Sequence, residues 1–266
     1  MSFARRDRLV SLRKEVERLE AGGGEQSARR AALVHADADD ALKGGLACGT
    51  MHEVFAADGL NAAAASGFAL GLARRVTQGS RFVLWVRQDF SAIESGELSM
   101  TGFAELGLDP RRLVAVHAPS AEMVLRIAAD AVACNALGVV VAEMFGEARA
   151  FDLVASRKLT LAAGASGVTA LMLRLGAVPQ ASTAETRWIV RAAHSPPTAE
   201  WQAWGWPALD VELARNRHGP GGRWSMEWVS DEYRFREQAT HSRRLAAAPA
   251  DRSYPPPAAI GQRRSA

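Results

Sequence analysis

The spacing of apolar side chains divides the chain into three textures. Over residues 4–20, Leu9, Leu12, Val16 and Leu19 recur at spacings of three, four and three, which predicts an amphipathic helix. Opposite-charge pairs such as Arg13–Glu17 decorate its other face, and Gly22, Gly23 and Gly24 end it. From Gly44 to Gly176 strand-like and helix-like patterns alternate. Strands are predicted over 51–56, 82–86, 113–117, 138–142 and 168–173, and helices over 62–75, 103–106, 121–134 and 151–163. FVLWV and GVVVA are continuous apolar runs, as parallel strands buried on both faces should be, and GVVVA is the best central-strand candidate. Beyond Gly176 short strand-like runs follow one another without helices, over 186–192, 209–215 and 222–228. This order predicts an α/β fold: a parallel-sheet core with helices on both faces, then a C-terminal β-hairpin extension.

Three segments follow from the pattern. Residues 1–24 form a helical arm with a glycine hinge, 25–239 the core, and 240–266 a basic Pro/Ala-rich tail expected to be disordered. The arm either packs on its own core or is offered to a partner. A chain of 266 residues accommodates one large α/β domain with such appendages. No apolar run reaches the roughly 20 residues of a membrane span, and the charged N-terminus carries no secretory segment. A cytoplasmic protein without membrane contact is therefore expected.

The net charge of +3 invites a nucleic-acid reading, but its distribution argues otherwise. Residues 22–239 hold 21 basic and 24 acidic residues, so the positive excess belongs to the two ends. Basic ends could touch phosphate; solvated ends explain them equally well, and DNA contact stays open. Cys48 and Cys134 are expected as reduced thiols in or near the core. No pair among the six histidines has ligand spacing, so no metal is expected.

In a parallel α/β protein, phosphate binds at the first strand–loop–helix, where loop amides and the helix N-terminus supply positive partial charge. Laid on the pattern G-x-x-x-x-G-K-[ST], Gly59 matches the first glycine and Ser66 the hydroxyl. Ala64 stands in place of the second glycine and Ala65 in place of the lysine, and no lysine occurs between Lys43 and Lys158. Methyl groups there remove the charge that grips the β- and γ-phosphates, so ATP hydrolysis and a bound cofactor are not expected. Glu143, after GVVVA, stands where a magnesium-holding acid would lie; a solvated or salt-bridged carboxylate is the plainer reading. The acidic stretches 37–40 and 94–97 read as caps and exposed turns. No G-x-S-x-G elbow exists.

With these residues in view, the chain resembles the RecA-like superfamily and, within it, the ImuA-type damage-inducible mutagenesis accessory proteins, from about Asp39 to Trp228. ADDALKGGLACGTMHEVF resembles the approach to the first core strand of RecA. WVRQDFSAIESGEL followed by GFAELGLDP is the most distinctive ImuA-type passage, and VELARNRHGPGGRWSMEW is similar to the closing hairpin. Departures from RecA itself matter as much. Gln88 and Asp89 stand where RecA has its water-activating glutamate, Leu173-Arg174 replace its γ-phosphate sensor, and the two DNA-binding loops are short. The resemblance implies a non-catalytic pseudo-ATPase of SOS-induced translesion synthesis. Its implied partners are an ImuB-like Y-family polymerase homologue, an error-prone C-family polymerase reached through that complex, and RecA. Two alternatives are a RecA-like ATPase of DNA repair that uses Arg74 in place of the lysine, and an SOS cell-division inhibitor. Candidate partner contacts are Leu9, Leu12, Val16 and Leu19 of the arm, and Trp201, Trp204 and Trp206 of a Pro/Trp-rich loop.

Overall fold

The computed structural model describes residues 29–197 and 205–238. The N-terminal arm with Leu9, Leu12, Val16 and Leu19, the loop residues Trp201 and Trp204, and the tail from residue 240 lie outside the described residues. Trp206 lies within them and is half-buried.

The chain enters through β1 (Arg30–Ala31), α1 (Ala36–Ala41) and β2 (Leu46–Ala47), with β1 and β2 pairing antiparallel as a separate two-stranded sheet. An alternation follows: β3 (Met51–Ala56), α2 (Ala62–Thr77), β4 (Phe82–Gln88), α3 (Asp89–Ser95), α4 (Met100–Glu105), β5 (Leu113–Ala118), α5 (Ala121–Val132), β6 (Leu137–Phe145), α6 (Leu153–Ser166) and β7 (Thr169–Leu175). It closes with β8 (Thr186–Ala192), β9 (Ala208–Asn216), β10 (Gly222–Val229) and β11 (Arg234–Glu237). One nine-stranded sheet runs β11-β10-β9-β8-β3-β7-β6-β4-β5. It is parallel from β8 to β5 and antiparallel from β8 to β11. The run GVVVA sits within β6, buried on both faces between β7 and β4.

Two cores explain the continuous apolar runs. On one face α2 packs Phe68, Leu72 and Val76 onto Trp85, Val141, Leu173 and Trp188. On the other, α5 and α6 bring Val124, Val132 and Leu159 against Val86, Val140 and Met172. Three helices start where a short polar side chain takes a free backbone N–H: Ser99 for α4, Ser120 for α5 and Asp152 for α6. The cap at Ser99 is why α4 starts at Met100, ahead of the predicted 103–106.

The antiparallel extension is fastened to α2. Phe235 packs 5.2 Å from Phe68 and 4.8 Å from Trp228 between ring centroids. A Cβ at Gly71 would lie 2.6 Å from Phe235 Cζ, so this turn of α2 is glycine for lack of room. Trp228 Nε1 donates to Leu106 O at 3.2 Å, tying the extension to the end of α4.

The structure corrects several expectations. α1, the β1–β2 pair, α3 and β11 were not predicted. Of the two cysteines, Cys48 is buried and Cys134 exposed, because Cys134 falls beyond the last turn of α5. Asp39 belongs to the first turn of α1 and accepts from Leu33 N and Val34 N at 2.7 and 2.8 Å.

Candidate functional site

β3 delivers the chain to the end of the sheet where a phosphate loop would form. There the backbone makes a single tight turn, Gly59–Asn61, before α2 begins at Ala62. Asp58 satisfies that turn internally: its carboxylate accepts from Leu60 N at 2.9 Å and Asn61 Nδ2 at 2.7 Å. The loop thus holds a carboxylate of its own against the amides that would face an anion. Asn61 Oδ1 in turn accepts from Ala192 N at 2.7 Å, fixing the turn to the end of β8. Gly59 has open space around its Cα and no left-handed φ, so nothing in the turn uses its glycine freedom.

The four positions laid on the phosphate-loop pattern do not converge on a ligand. Gly59 is in the turn, while Ala64, Ala65 and Ser66 lie inside the first turns of α2. Ala65 is fully buried in the core beneath the helix. The position that should carry a lysine toward phosphate therefore faces the sheet. Arg74 offers no substitute: it lies in the last turn of α2, about 13 Å along the axis from Ala65 at 1.5 Å per residue, with its guanidinium 4.2 Å over the ring of Tyr233.

Glu143 is equally committed. It ends the apolar run of β6, and the sheet register sets it directly beside Arg87 of β4. Both are 1 % exposed. Arg87 Nη2 donates to Glu143 Oε1 at 2.9 Å, and Trp85 Nε1 donates to Oε2 at 2.7 Å. Arg87 Nη1 goes on to Gly96 O at 3.0 Å, which anchors the turn after α3. Both carboxylate oxygens are thus engaged by protein donors at hydrogen-bond distance. Salt-bridged is the reading that holds, and this carboxylate does not fit a magnesium ion. Together with the buried Ala65 and the Asp58-filled turn, the residues present do not fit a triphosphate.

Above the Arg87–Glu143 pair lies a cavity of ≈ 250 Å³. Its walls come from the first turns of α2, the stretch from Ser95 to Ser99, and α4. Glu97 lines it, and outside the lining His117 lies with Nε2 3.8 Å from Glu97 and Nδ1 3.7 Å from Asp89.

No family model matches the chain. It is similar to Protein ImuA of Caulobacter vibrioides (strain NA1000 / CB15N), 31% identical over 197 residues that cover 69% of this chain and 77% of the relative. The chain belongs to the ImuA family. Protein ImuA of a second strain, ATCC 19089 / CIP 103742 / CB 15, matches with the same identity and coverage. Among solved structures, the RadB recombinase superposes with a TM-score of 0.54 at 15% identity, over 78% of this chain and 99% of that chain. At that identity the likeness shows the fold, which is RecA-like.

Gln88 and Leu173 of this ImuA-family chain are taken up by the fold, whereas the three guanidinium nitrogens of Arg174 are buried without a hydrogen-bond partner among the described residues. The side-chain oxygen of Gln88 accepts from Phe145 N at 3.3 Å. Leu173 is core. Arg174 is fully buried, with its guanidinium 5.2 Å from the Phe151 ring and 5.7 Å from that of Phe55; burial lowers its pKa from the usual arginine value. Beside it Arg187 Nε pairs with buried Glu53 at 2.8 Å. No group of three or more His, Cys, Asp or Glu able to hold a metal occurs among the described residues. Nor is any described helix long and apolar enough to cross a membrane.

Proposed function

We propose that this ImuA-family chain is a non-catalytic accessory protein of damage-induced, error-prone translesion synthesis. It binds an ImuB-like Y-family polymerase homologue, and through that complex joins an error-prone C-family polymerase. Membership of the family supports the mutagenesis role, and the RecA-like body supplies the scaffold. One observation carries the non-catalytic part: the residue in the lysine position, Ala65, is buried in the core, while the strand-end acid Glu143 is bound to Arg87 and Trp85. Positioning and electrostatic stabilisation are nearly all that protein contributes to phosphoryl transfer, and both groups that would supply them are turned to packing.

The test combines a pull-down of purified ImuB-like protein by the full chain, with and without ATP, with a phosphate-release assay with and without single-stranded DNA. Capture independent of ATP, and release at the buffer background, are expected. ATP turnover that Glu143→Gln abolishes would overturn the reading, as would failure of the partner to bind.

A further inference from the structure

The cavity over the Arg87–Glu143 pair has features that neither the fold nor its own packing explains. Its space is held open by glycines. Gly67, in the second turn of α2, lines it, and a Cβ there would meet nothing within 4 Å. Gly102 of α4 lines it too, and a Cβ there would touch only Ser99, at an ordinary 3.5 Å. Neither has a left-handed φ. Glycine inside a helix is destabilising relative to alanine, and here no neighbour demands it. Gly71, one turn along α2, is the contrast: there Phe235 leaves no room. Where α2 and α4 face each other the chain carries small residues that keep a hollow.

The walls of that hollow are apolar and its edge is acidic. Leu70, Trp85, Leu98, Phe103 and Leu106 line the interior. Among the described residues the one cation in the lining, Arg87, is buried; it pairs with Glu143 at 2.9 Å, and its Nη1 lies 3.7 Å from Glu97. At the edge Glu97 is 72% exposed, Glu94 is exposed one residue from the lining Ser95, and Asp89, 54% exposed, lies beyond Glu97 on the far side of His117. Apolar side chains stand out to solvent at the same end of the sheet, with Leu60 95%, Ile93 76% and Phe90 45% exposed. Such a surface repels a nucleotide. An apolar hollow ringed by carboxylates instead complements an apolar anchor flanked by positive charge.

We propose that this cavity is the docking pocket for a segment of a partner protein that inserts one aromatic or branched apolar side chain between arginines or lysines. The inference rests on the reading of the chain as a partner-binding protein and names the surface that does the binding. The apolar side chain fills the space over Trp85 and Phe103, and the flanking cations meet Glu94, Glu97 and Asp89.

The test uses the full chain in two arms. In the first, affinity for the ImuB-like protein is measured for the native sequence, for Gly67→Leu and for Glu94→Lys/Glu97→Lys. Gly67→Leu plugs open space with a better helix former, so its melting temperature stays level or rises while affinity falls at least tenfold. The double charge reversal also lowers affinity tenfold or more and flattens the salt dependence. In the second, ¹⁵N spectra are titrated with the peptide Arg-Phe-Arg and with Glu-Phe-Glu. Only the basic peptide is expected to shift the amides of Gly67, Gly96 and Gly102. If Gly67→Leu binds the partner like the native chain, the pocket is overturned while the accessory reading stands. If the native chain binds no partner, that reading falls, and the peptide arm decides the pocket alone: absent or equal shifts with the two peptides overturn it. Movement of the same amides by Arg243→Glu/Arg244→Glu, with no peptide added, would make the occupant the chain's own C-terminal segment and overturn the proposal as well.

Discussion

At the residue scale, the charged groups inside the sheet set the most exacting conditions. Arg87 and Glu143 are each 1 % exposed and form an ion pair at 2.9 Å. Removing Arg87 leaves Glu143 buried without a counter-charge, which costs about 3–5 kcal/mol, whereas replacing both by apolar residues is often neutral; removing Glu143 still leaves Arg87 with Glu97, 3.7 Å from Nη1. Arg87→Met is therefore expected to lose about that much stability in urea denaturation, and Arg87→Met/Glu143→Leu to recover most of it. His52 gives a pH signature. It is buried between Thr186 Oγ1 and Ala47 O, both at 2.8 Å, and burial pushes its pKa down from 6.5 to about 4. Between those values the unfolded chain binds more protons than the folded one. The contribution is thus complete above about pH 6.5 and is lost as pH falls toward 4, amounting to about 3 kcal/mol. Urea midpoints at pH 7.5 and 4.5 should differ more for the native chain than for His52→Gln. The Arg87–Glu143 pair was partly legible in the sequence. FVLWV and GVVVA are each followed directly by a charge, Arg87 and Glu143, and the two charges are opposite. Two buried parallel strands ending in opposite charges pair them when the register aligns, and only the register was out of reach.

At the element scale, α2 carries a built-in comparison. Gly67→Ala places a methyl group in open space and should stabilise by about 0.5–1 kcal/mol through helix propensity. Gly71→Ala drives a methyl group against Phe235 and Trp228 and should cost about 1–3 kcal/mol through overpacking. Thermal melts of the two variants should shift in opposite directions. The same elements show what patterning could read. β4 and β6 announced themselves because both faces of each strand are buried, which leaves an uninterrupted apolar run. β11 did not, because RFRE offers Phe235 as its sole apolar residue, and α1, ADADDA, has no apolar stripe. The cavity escaped for a related reason: Ala63, Ser66 and Gly67 are small, and small residues in a failed phosphate loop read as mere degeneration.

At the scale of the whole molecule, the parallel core and the antiparallel extension share one sheet and one apolar cluster. Far-ultraviolet circular dichroism and tryptophan fluorescence should therefore report a single coincident unfolding transition. Trp228→Ala, which unfastens β10 and β11 from α2, should lower its midpoint by the equivalent of about 3–5 kcal/mol. The strand order was invisible to periodicity, since contacts such as β3 beside both β7 and β8 join segments far apart in the chain.

Burial of Ala65 carries a consequence for any attempt at reversal. Ala64→Gly/Ala65→Lys rewrites the motif as text, yet the new ammonium would arrive under the helix, inside the apolar core. A fluorescent ATP analogue is expected to find no purchase on that variant, and its melting temperature to drop. What position 65 can reach is set by how the helix is seated, so spelling alone does not change it.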